Sequence, residues 1–281
     1  NIGIRPLSVY QQKEEIINSD YILSLTDGFS FSLGFYYSFI NRKSLVKLVG
    51  SFHRLSDYDN SLPFYLRHIY YLIIKKVLAR LDFIVFFGDA DRLNSIKHFK
   101  LNKNKTYILE FGVDLDFWTP KENNFFNSNY LFSLGQDPAR DFKTLLRVKT
   151  KKLIHIHTIL LKEKNNKNFK ITNGSYNNHK SSLTDIEIRN LYQESFAIIV
   201  PLKNVFQPSG YSVTLQSMAC GKPVILTLTK GLWAPSLFKN HENCILVSPY
   251  NEKEIEDAIN FLENNIDEYK KICFGARSTA E

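Results

Sequence analysis

Short apolar runs alternate along the chain with stretches that have the apolar spacing of an amphipathic helix. The apolar runs predict strands over Tyr21–Leu25, Leu45–Gly50, Phe83–Phe87, Thr106–Phe111, Tyr130–Leu134, Leu153–Thr158, Phe169–Thr172, Phe196–Pro201, Pro223–Leu226 and Cys244–Val247. The intervening stretches predict helices over Leu62–Leu81, Asp141–Lys149, Asp185–Glu194, Tyr211–Ala219 and Glu252–Asn264. This alternation predicts an α/β protein with parallel sheets covered by helices on both faces.

Two domains are expected, because 281 residues exceed one typical domain of roughly 100–200 residues. The polar segment Pro120–Asn129 lacks periodicity and is predicted to be the linker. We therefore expect one domain over residues 1–120 and another over residues 121–281. The chain begins at Asn1 and ends within a helical pattern at Glu281. The sequence thus looks like a fragment, with the first domain expected to be truncated at its start and the second at its end.

The net charge of +8 suits an anionic partner. Two regions carry much of the positive charge: Arg42, Lys43, Lys47, Arg54, Arg67, Lys75, Lys76 and Arg80, and then Arg140, Lys143, Arg147, Lys149, Lys151 and Lys152. The ordinary interpretation of such a region is a solvated face. The sequence contains no recognisable motif for binding RNA or DNA, so we expect no nucleic-acid partner.

The cysteines and the apolar segments indicate a cytoplasmic chain. Cys220, Cys244 and Cys273 are odd in number and lack zinc-ligand spacing, which favours reduced thiols and no zinc site. The longest apolar region, 62–88, is interrupted by charges and does not predict a membrane span. Residues 35–47 and 65–80 interleave aromatic with basic residues, which suits peripheral contact with an anionic membrane. The alternative is a helix that covers the sheet and has a basic outer face.

Two loops after predicted strands carry candidate chemistry, because open parallel sheets bind ligands beyond the carboxyl ends of their strands. The loop from Gly135 to Arg140 opens a helix and supplies guanidinium donors for a phosphate. The segment from Gln207 to Gly221 places Gly210 at a helix start, where backbone N–H groups bind diphosphate well. The alternatives are plain strand–helix turns, with Arg140 paired to a surface carboxylate.

Several stretches in this order resemble the retaining GT-B glycosyltransferases of family 4. They are FGVDLDFWTP (111–120), YLFSLGQDPARDFKTLL (130–146), IRNLYQESFAIIVPL (188–202), QPSGYSVTLQSMACGKPVI (207–225), GLWAP (231–235) and HENCILVSP (241–249). The match covers the second domain and is weaker in the first. It implies the GT-B fold, in which two Rossmann-like domains with parallel sheets face each other across a cleft.

The resemblance also implies site residues. Arg140 matches the lysine that binds the donor diphosphate, and His53 matches a histidine of the first domain that contacts the donor sugar and the reaction centre. The alternative for His53 is a partly buried structural role. The implied donor-binding residues are Gly135, Gln136, Asn173, Ser209, Gly210, Tyr211, Ser212, Val213, Thr214, Gln216, Gly231 and Leu232. The loop from Ile171 to Gly174 is predicted to hold the base.

The chain departs from the family at its charged positions. Gln136 replaces an arginine, and Gln216 replaces the second glutamate of a Glu-x7-Glu motif whose first glutamate falls on Pro208 or Gln207. The change at Gln136 puts the usual two-cation clamp in doubt. The glutamines at 136, 207 and 216 together motivate an alternative function as a ligand- or partner-binding module without catalysis.

The resemblance implies an enzyme that transfers a hexose-type sugar from a UDP- or GDP-linked donor to a hydroxyl of a glycan or lipid-linked acceptor. The expected setting is the synthesis of cell-surface polysaccharide or glycoconjugate, in the cytoplasm or at the inner face of the membrane. No metal and no other cofactor are expected, because Arg140 and the helix start at Gly210 would stabilise the leaving diphosphate.

Overall fold

The structure is a computed structural model that describes residues 5–40, 45–58, 63–121, 126, 128–173 and 183–281. The chain forms two compact units. The first contains the described residues within Asn1–Glu110 together with Val205–Pro208 and Lys230–Trp233, and the second contains the rest. The domain boundary at residue 120 stays a prediction. Arg42, Lys43 and Gly174 lie outside the described residues.

The first unit is built on a parallel sheet in the strand order β1-β2-β3-β4. Its strands are β1 (Tyr21–Ser24), β2 (Lys47–Phe52), β3 (Phe83–Phe86) and β4 (Thr106–Ile108). Its helices are α1 (Pro6–Gln11), α2 (Lys13–Ile17), α3 (Asp27–Phe39), α4 (Phe64–Leu78) and α5 (Asp89–Phe99). Parallel neighbours need long crossover connections, and α3, α4 and α5 supply them.

Aromatic side chains fill the core of the first unit. Phe31 and Phe52 are fully buried, and their rings meet edge to face with centroids 5.1 Å apart. Helices α3 and α4 approach closely at Gly34, where an added Cβ would lie 2.5 Å from the carbonyl oxygen of Val77. Helix α3 was not predicted because it has no polar face: its small buried residues include Ser30 and Ser32.

Helix α4 confirms a prediction in position but corrects it in character. Ile74, Val77 and Leu78 bury its inner face, whereas every side chain from Phe64 to Ile69 is exposed. The outward face is therefore apolar as well as basic. The residues 35–47, in which aromatic and basic side chains are interleaved, include the end of α3 at Phe39 and the start of β2 at Lys47.

The second unit holds a sheet in the strand order β11-β10-β9-β5-β6-β8-β7. Its strands are β5 (Tyr130–Leu134), β6 (Leu153–His157), β7 (Lys164–Asn165), β8 (Phe169–Thr172), β9 (Ile198–Val200), β10 (Val224–Thr227) and β11 (Ile245–Val247). All neighbours are parallel except β7 and β8. The parallel α/β class predicted from the sequence is confirmed.

Helices cover this sheet: α6 (Phe142–Leu145), α7 (Asp185–Glu194), α8 (Tyr211–Ala219), α9 (Glu252–Asn264) and α10 (Ile266–Ala280). The predicted start of α7 is confirmed, because Thr184 and Glu187 form a reciprocal capping box. Helix α6 is shorter than the predicted 141–149, since its chain tightens into turns in which Val148 N–H donates to the Leu145 carbonyl. In the described ranges, no helix combines the length and apolar character that crossing a bilayer requires.

Candidate functional site: a phosphate cradle at the switch point of the second unit

The candidate site lies where the strand order of the second sheet reverses direction. Strand β5 pairs with β6 on one side and with β9 on the other. Beyond β6 the sheet continues with β8 and β7, and beyond β9 it continues with β10 and β11. The carboxyl ends of β5 and β9 therefore border the crevice where α/β sheets bind their ligands.

Backbone hydrogen bonds join the loop after β5 to the segment that leaves β9. The Asp141 N–H donates to the Pro201 carbonyl at 2.9 Å, and the Lys203 N–H donates to the Ala139 carbonyl at 2.8 Å. These two bonds flank Arg140 and fix the backbone from which its side chain extends. The backbone of this loop is therefore held by hydrogen bonds within the second unit.

Asp137 organises the side chains of this loop. Its Oδ1 accepts hydrogen bonds from the Ala139 N–H at 3.0 Å and the Ser209 hydroxyl at 2.9 Å. Its Oδ2 accepts from Arg140 Nε at 3.1 Å. Asp137 is not among the site residues predicted from the sequence. The signal available was an aspartate before proline, a typical turn former that bonds backbone groups two residues on.

Arg140 is a buried cation that does not use all of its hydrogen-bond donors within the described residues. Its side chain is 3% exposed, and its guanidinium lies against Gly135, where an added Cβ would be 2.6 Å from Cζ. Nη1 is buried and has no hydrogen-bond partner in the described part of the chain. Asp137 is a carboxylate partner of Arg140, as the alternative interpretation predicted, but this hydrogen bond uses only Nε.

The start of α8 faces the same guanidinium. Gly210 precedes the helix with φ +83°, and no side chain caps the helix. Arg140 Nη1 lies 3.6 Å from the position of a Cβ on Gly210. The first N–H groups of a helix have no acceptor within it and attract anions. The site thus brings Gly135, Ser209, Gly210 and Arg140 together, with donors of the kind that bind phosphate.

The remaining predicted residues of α8 divide between surface and core. Ser212 is half-buried, whereas Val213 and Thr214 are buried. The Tyr211 ring packs on Phe111, with centroids 3.7 Å apart. Thr214 Oγ1 has no hydrogen-bond partner among the residues the structure describes. Gly221 ends the helix with φ +66°, as the sequence predicts.

The two glutamines differ in their surroundings. Gln216 lies in the second turn of α8 and its Oε1 accepts a long hydrogen bond, 3.4 Å, from the Tyr192 hydroxyl. Gln136 is half-buried in the loop after β5. Neither contributes charge, so Arg140 carries the positive charge of its own loop.

Two histidines that the sequence analysis did not single out lie beside the predicted base-binding loop. His155 Nε2 is 3.1 Å and His157 Nδ1 is 2.9 Å from Thr172 Oγ1. They line a cavity of about 500 Å³ together with Asn173 and side chains of α7. Burial lowers the pKa of His155 to about 4, with further lowering by Lys170 and His157. Burial also lowers the pKa of His157.

We expect these histidines to make the protein less stable in mild acid. The unfolded chain binds protons at His155 near pH 6.5, whereas the folded chain binds them only near pH 4. Stability is therefore complete above the unfolded pKa and is lost as pH falls below it. Lowering the pH from about 7.5 to about 5 should cost about 2 kcal/mol through His155. Burial raises the pKa of Asp91 to about 7, so protonation of Asp91 changes the stability in the opposite direction over this pH range. The contribution of His155 is therefore the difference in urea unfolding between the wild type and a variant without this histidine, measured at both pH values.

His155→Gln should remove most of that pH dependence, because a glutamine amide can keep a hydrogen bond to Thr172 without titrating. His68→Gln is the matched control, since His68 is exposed on α4. An unfolding free energy of H155Q that falls with pH as steeply as in the wild type would contradict the prediction.

The predicted residues Gly231 and Leu232 pack within the first compact unit. An added Cβ on Gly231 would lie 2.5 Å from the carbonyl carbon of Phe206, and Leu232 is 4% exposed. Gln207 belongs to the same unit, and its N–H donates to Asp57 Oδ2 at 2.7 Å. These positions are therefore built by close backbone packing that a substitution would disturb.

His53 is oriented by an aspartate in the first unit. Asp27 Oδ1 accepts from the His53 N–H at 2.8 Å and lies 3.1 Å from His53 Nδ1. Asp27 Oδ2 accepts from the Tyr58 hydroxyl at 2.8 Å, and burial, with Asp27, raises the pKa of Tyr58. The His53 ring stacks on Phe87 with centroids 4.3 Å apart. This carboxylate favours the tautomer with its proton on Nδ1, which leaves Nε2 as an acceptor. Asp27 is not among the site residues predicted from the sequence.

No metal centre is apparent within the described ranges, where no three His, Cys, Asp or Glu side chains are arranged to hold an ion. The charged groups at the switch point include those of Arg140, Asp137 and Lys203, whose Nζ donates to the Pro138 carbonyl at 2.7 Å.

The chain is similar in structure to several solved proteins. The chain is similar in structure to HepE of Anabaena in complex with UDP and glucose, with a TM-score of 0.73 and 17% identity over 98% of this chain and 76% of HepE. It is similar to sucrose-phosphate synthase from Thermosynechococcus elongatus, with a TM-score of 0.72 and 12% identity over 98% and 72%. TarM from S. aureus, solved with fondaparinux, alpha-GlcNAc-glycerol and UDP, gives 0.72 and 15% over 97% and 54%. A search of the curated proteins finds no sequence match.

These likenesses and the parallel sheets define the GT-B fold. Residues 157–278 match the family model described as glycosyl transferases group 1, and they form a domain of that family. The chain is a glycosyltransferase. The fold and the enzyme class expected from the sequence are confirmed.

Proposed function

We propose that this glycosyltransferase moves a hexose-type sugar, with retention of anomeric configuration, from a UDP- or GDP-linked donor to a hydroxyl of a glycan or lipid-linked acceptor. The observation that carries the proposal is the buried Arg140 guanidinium, whose Nη1 lies beside the start of α8 at the switch point. A diphosphate in that position would accept hydrogen bonds from Nη1 and from the first N–H groups of the helix.

Catalysis would then depend on stabilising the nucleoside diphosphate as it leaves. Negative charge develops on the leaving oxygens when the bond to the sugar breaks, and preorganised donors stabilise it without reorganising. Arg140 is preorganised because Asp137 and Gly135 hold its side chain in place. The acceptor hydroxyl would attack the sugar on the same face from which the diphosphate departs. No metal is required in this scheme.

The other predicted residues have roles in the same proposal. Asn173, with Thr172 and the adjoining cavity, would contact the base, and Gln216 would bond the ribose. Gly231 and Leu232 would face the donor sugar. His53 would contact the sugar through Nε2, since Asp27 holds Nδ1.

The setting of this reaction is part of the proposal. We place it in the cytoplasm, in the synthesis of a cell-surface polysaccharide or glycoconjugate, with peripheral contact to the inner face of the membrane. The support is the excess of positive charge, +8, and cysteines that form no pairs.

Thermal-shift and calorimetric titration with UDP, GDP, ADP and their sugar conjugates test the donor. UDP is the first nucleotide to examine, because it occupies both HepE and TarM. A ligand at a hundred times its Kd should stabilise the folded chain by about 2.7 kcal/mol. The absence of any shift across the panel would contradict the proposal.

The second candidate is a module that binds a nucleotide sugar without transferring it. The neutral side chains at 136 and 216 favour it, since the first replaces a cation of the family's diphosphate clamp and the second replaces a glutamate of its ribose-binding motif. Turnover separates the two functions. A chain that binds UDP-sugar but neither hydrolyses nor transfers it, across a panel of donors and acceptors, supports the binding module.

A further inference from the structure

We propose that the outward face of α4 docks on the surface of an anionic lipid bilayer. Six apolar side chains on this helix are between 40% and 83% exposed: Phe64, Tyr65, Leu66, Ile69, Leu72 and Ile73. The inner face is already occupied, because Ile74, Val77 and Leu78 are buried in the core of the first unit. The helix therefore has two apolar sides, one packed in the core and the other exposed.

The uncovered face continues onto the end of α3. Phe39 is 71% exposed, and Lys76 Nζ lies 5.2 Å from the centre of its ring. An exposed apolar surface that crosses two helices is larger than the scattered apolar residues of an ordinary surface. Surfaces of this kind mark contacts with a partner or a membrane.

Charge identifies the partner. From Pro63 to Leu81 the chain has no acidic residue, but it carries the cations Arg67, Lys75, Lys76 and Arg80. All four are exposed. Lys75, Lys76 and Arg80 form no ion pair with a carboxylate in the described part of the chain. A protein groove would be expected to meet such a face with apolar contacts and a few matched carboxylates. The surface of a bilayer with acidic headgroups offers both apolar contacts and negative charge over its whole area.

The arrangement along α4 fits an interfacial helix. The aromatic residues Phe64 and Tyr65 lie in its first turn, and Lys75 and Lys76 lie in its last turn. Aromatic and aliphatic side chains enter the boundary between headgroups and acyl chains, while lysines reach back to the phosphates. The helix would lie flat on the membrane with its inner face still packed in the first unit.

This surface gives the acceptor of the reaction a location. A lipid-linked acceptor would be presented at the same membrane that holds α4, and in that respect the inference rests on the proposed function. Binding to vesicles does not depend on the proposed function, because no residue placed in the donor site belongs to α4.

Co-sedimentation of the full chain with vesicles tests the surface. We expect binding to phosphatidylcholine vesicles that contain about 30% phosphatidylserine or phosphatidylglycerol, and at least tenfold weaker binding to phosphatidylcholine alone. The double variant Lys75→Glu/Lys76→Glu should bind acidic vesicles at least tenfold more weakly than the wild type. Lys143→Glu/Lys151→Glu is its control, since it makes the same change in net charge at two exposed lysines of the second unit.

A second pair of variants tests the apolar component. Ile69→Gln/Leu72→Gln should also reduce vesicle binding at least tenfold, and folding should survive because both side chains are more than half exposed. Ile186→Gln/Leu237→Gln is the control, with comparably exposed side chains on the second unit. The melting temperature and UDP titration of each variant report whether the fold and donor site are intact.

Three results would overturn the inference: no sedimentation of the wild type with acidic vesicles, α4 variants that bind as the wild type does, or a self-associated chain that dissociates in I69Q/L72Q. The last outcome, measured by analytical ultracentrifugation, would show that a second copy covers the face. Loss of UDP binding in the wild type would instead contradict the proposed function and leave vesicle binding to be judged separately.

Discussion

Arg140→Ala is expected to weaken binding of the nucleotide-sugar donor by about ten- to a hundredfold and to lower the transfer rate by about a hundred- to a thousandfold. The guanidinium is buried, is held by Asp137 at 3.1 Å, and has Nη1 unbonded within the described residues. Gln136 in the same loop is neutral, so no neighbouring cation in that loop replaces the lost charge. Calorimetric Kd values and single-turnover rates measure the two effects.

The matched control is Arg147→Ala. Arg147 lies close by in sequence, but its side chain is 51% exposed and pairs with Glu252 at 3.0 Å. Its removal should leave the Kd of the donor unchanged. Arg140→Lys adds a second comparison, because lysine keeps the charge but loses the planar fork. Unchanged affinity and turnover in R140A would remove Arg140 from the proposed site.

Gly210→Ala is expected to destabilise the second unit by about 2–4 kcal/mol and to weaken donor binding more than tenfold. Two costs combine at this position. The backbone has φ +83°, which is unfavourable for any residue with a Cβ, and the added Cβ would lie 2.7 Å from Val200 Cγ1. Relief of that contact requires α8 to move away from β9, and its N-terminus would move with it. Urea unfolding and donor titration measure both consequences.

Gly112→Ala is the control for this substitution. Gly112 has no atom within 4 Å of the Cβ position. Its replacement should change the unfolding free energy by less than about 0.5 kcal/mol and leave donor binding intact. A G210A variant that is as stable as G112A and retains donor affinity would show that α8 does not need its left-handed start.

Helix α8 shows how much of the site could be predicted from sequence. Its bounds, Tyr211–Ala219, agree with the prediction because a glycine stands at each end, and both glycines adopt positive φ. The start of α7 was equally predictable, since Thr184 and Glu187 bond one another within one turn. Such signals are local, so the sequence contains all the groups that produce them.

Predictions failed where local pattern and tertiary environment disagree. Helix α3 has small polar residues inside the core, so its sequence lacks the periodicity of a half-exposed helix. Helix α4 has that periodicity, but its outward side is also apolar, which the pattern alone assigned to a basic surface. In each case the packing partner, or its absence, decided the environment of the side chain.

The sequence by itself determined the α/β class, the loops that follow β5 and β9, and the chemistry they carry in Arg140 and Gly210. Only the tertiary structure decided that Asp137 bonds Ser209, 72 residues further along the chain. Only the tertiary structure also decided that Arg140 keeps a buried, unbonded Nη1 beside Gly210. The physical reason is the short range of the interactions that form the site. Hydrogen bonds act over about 3 Å, and parallel pairing of β5 with β9 brings these distant groups within that distance.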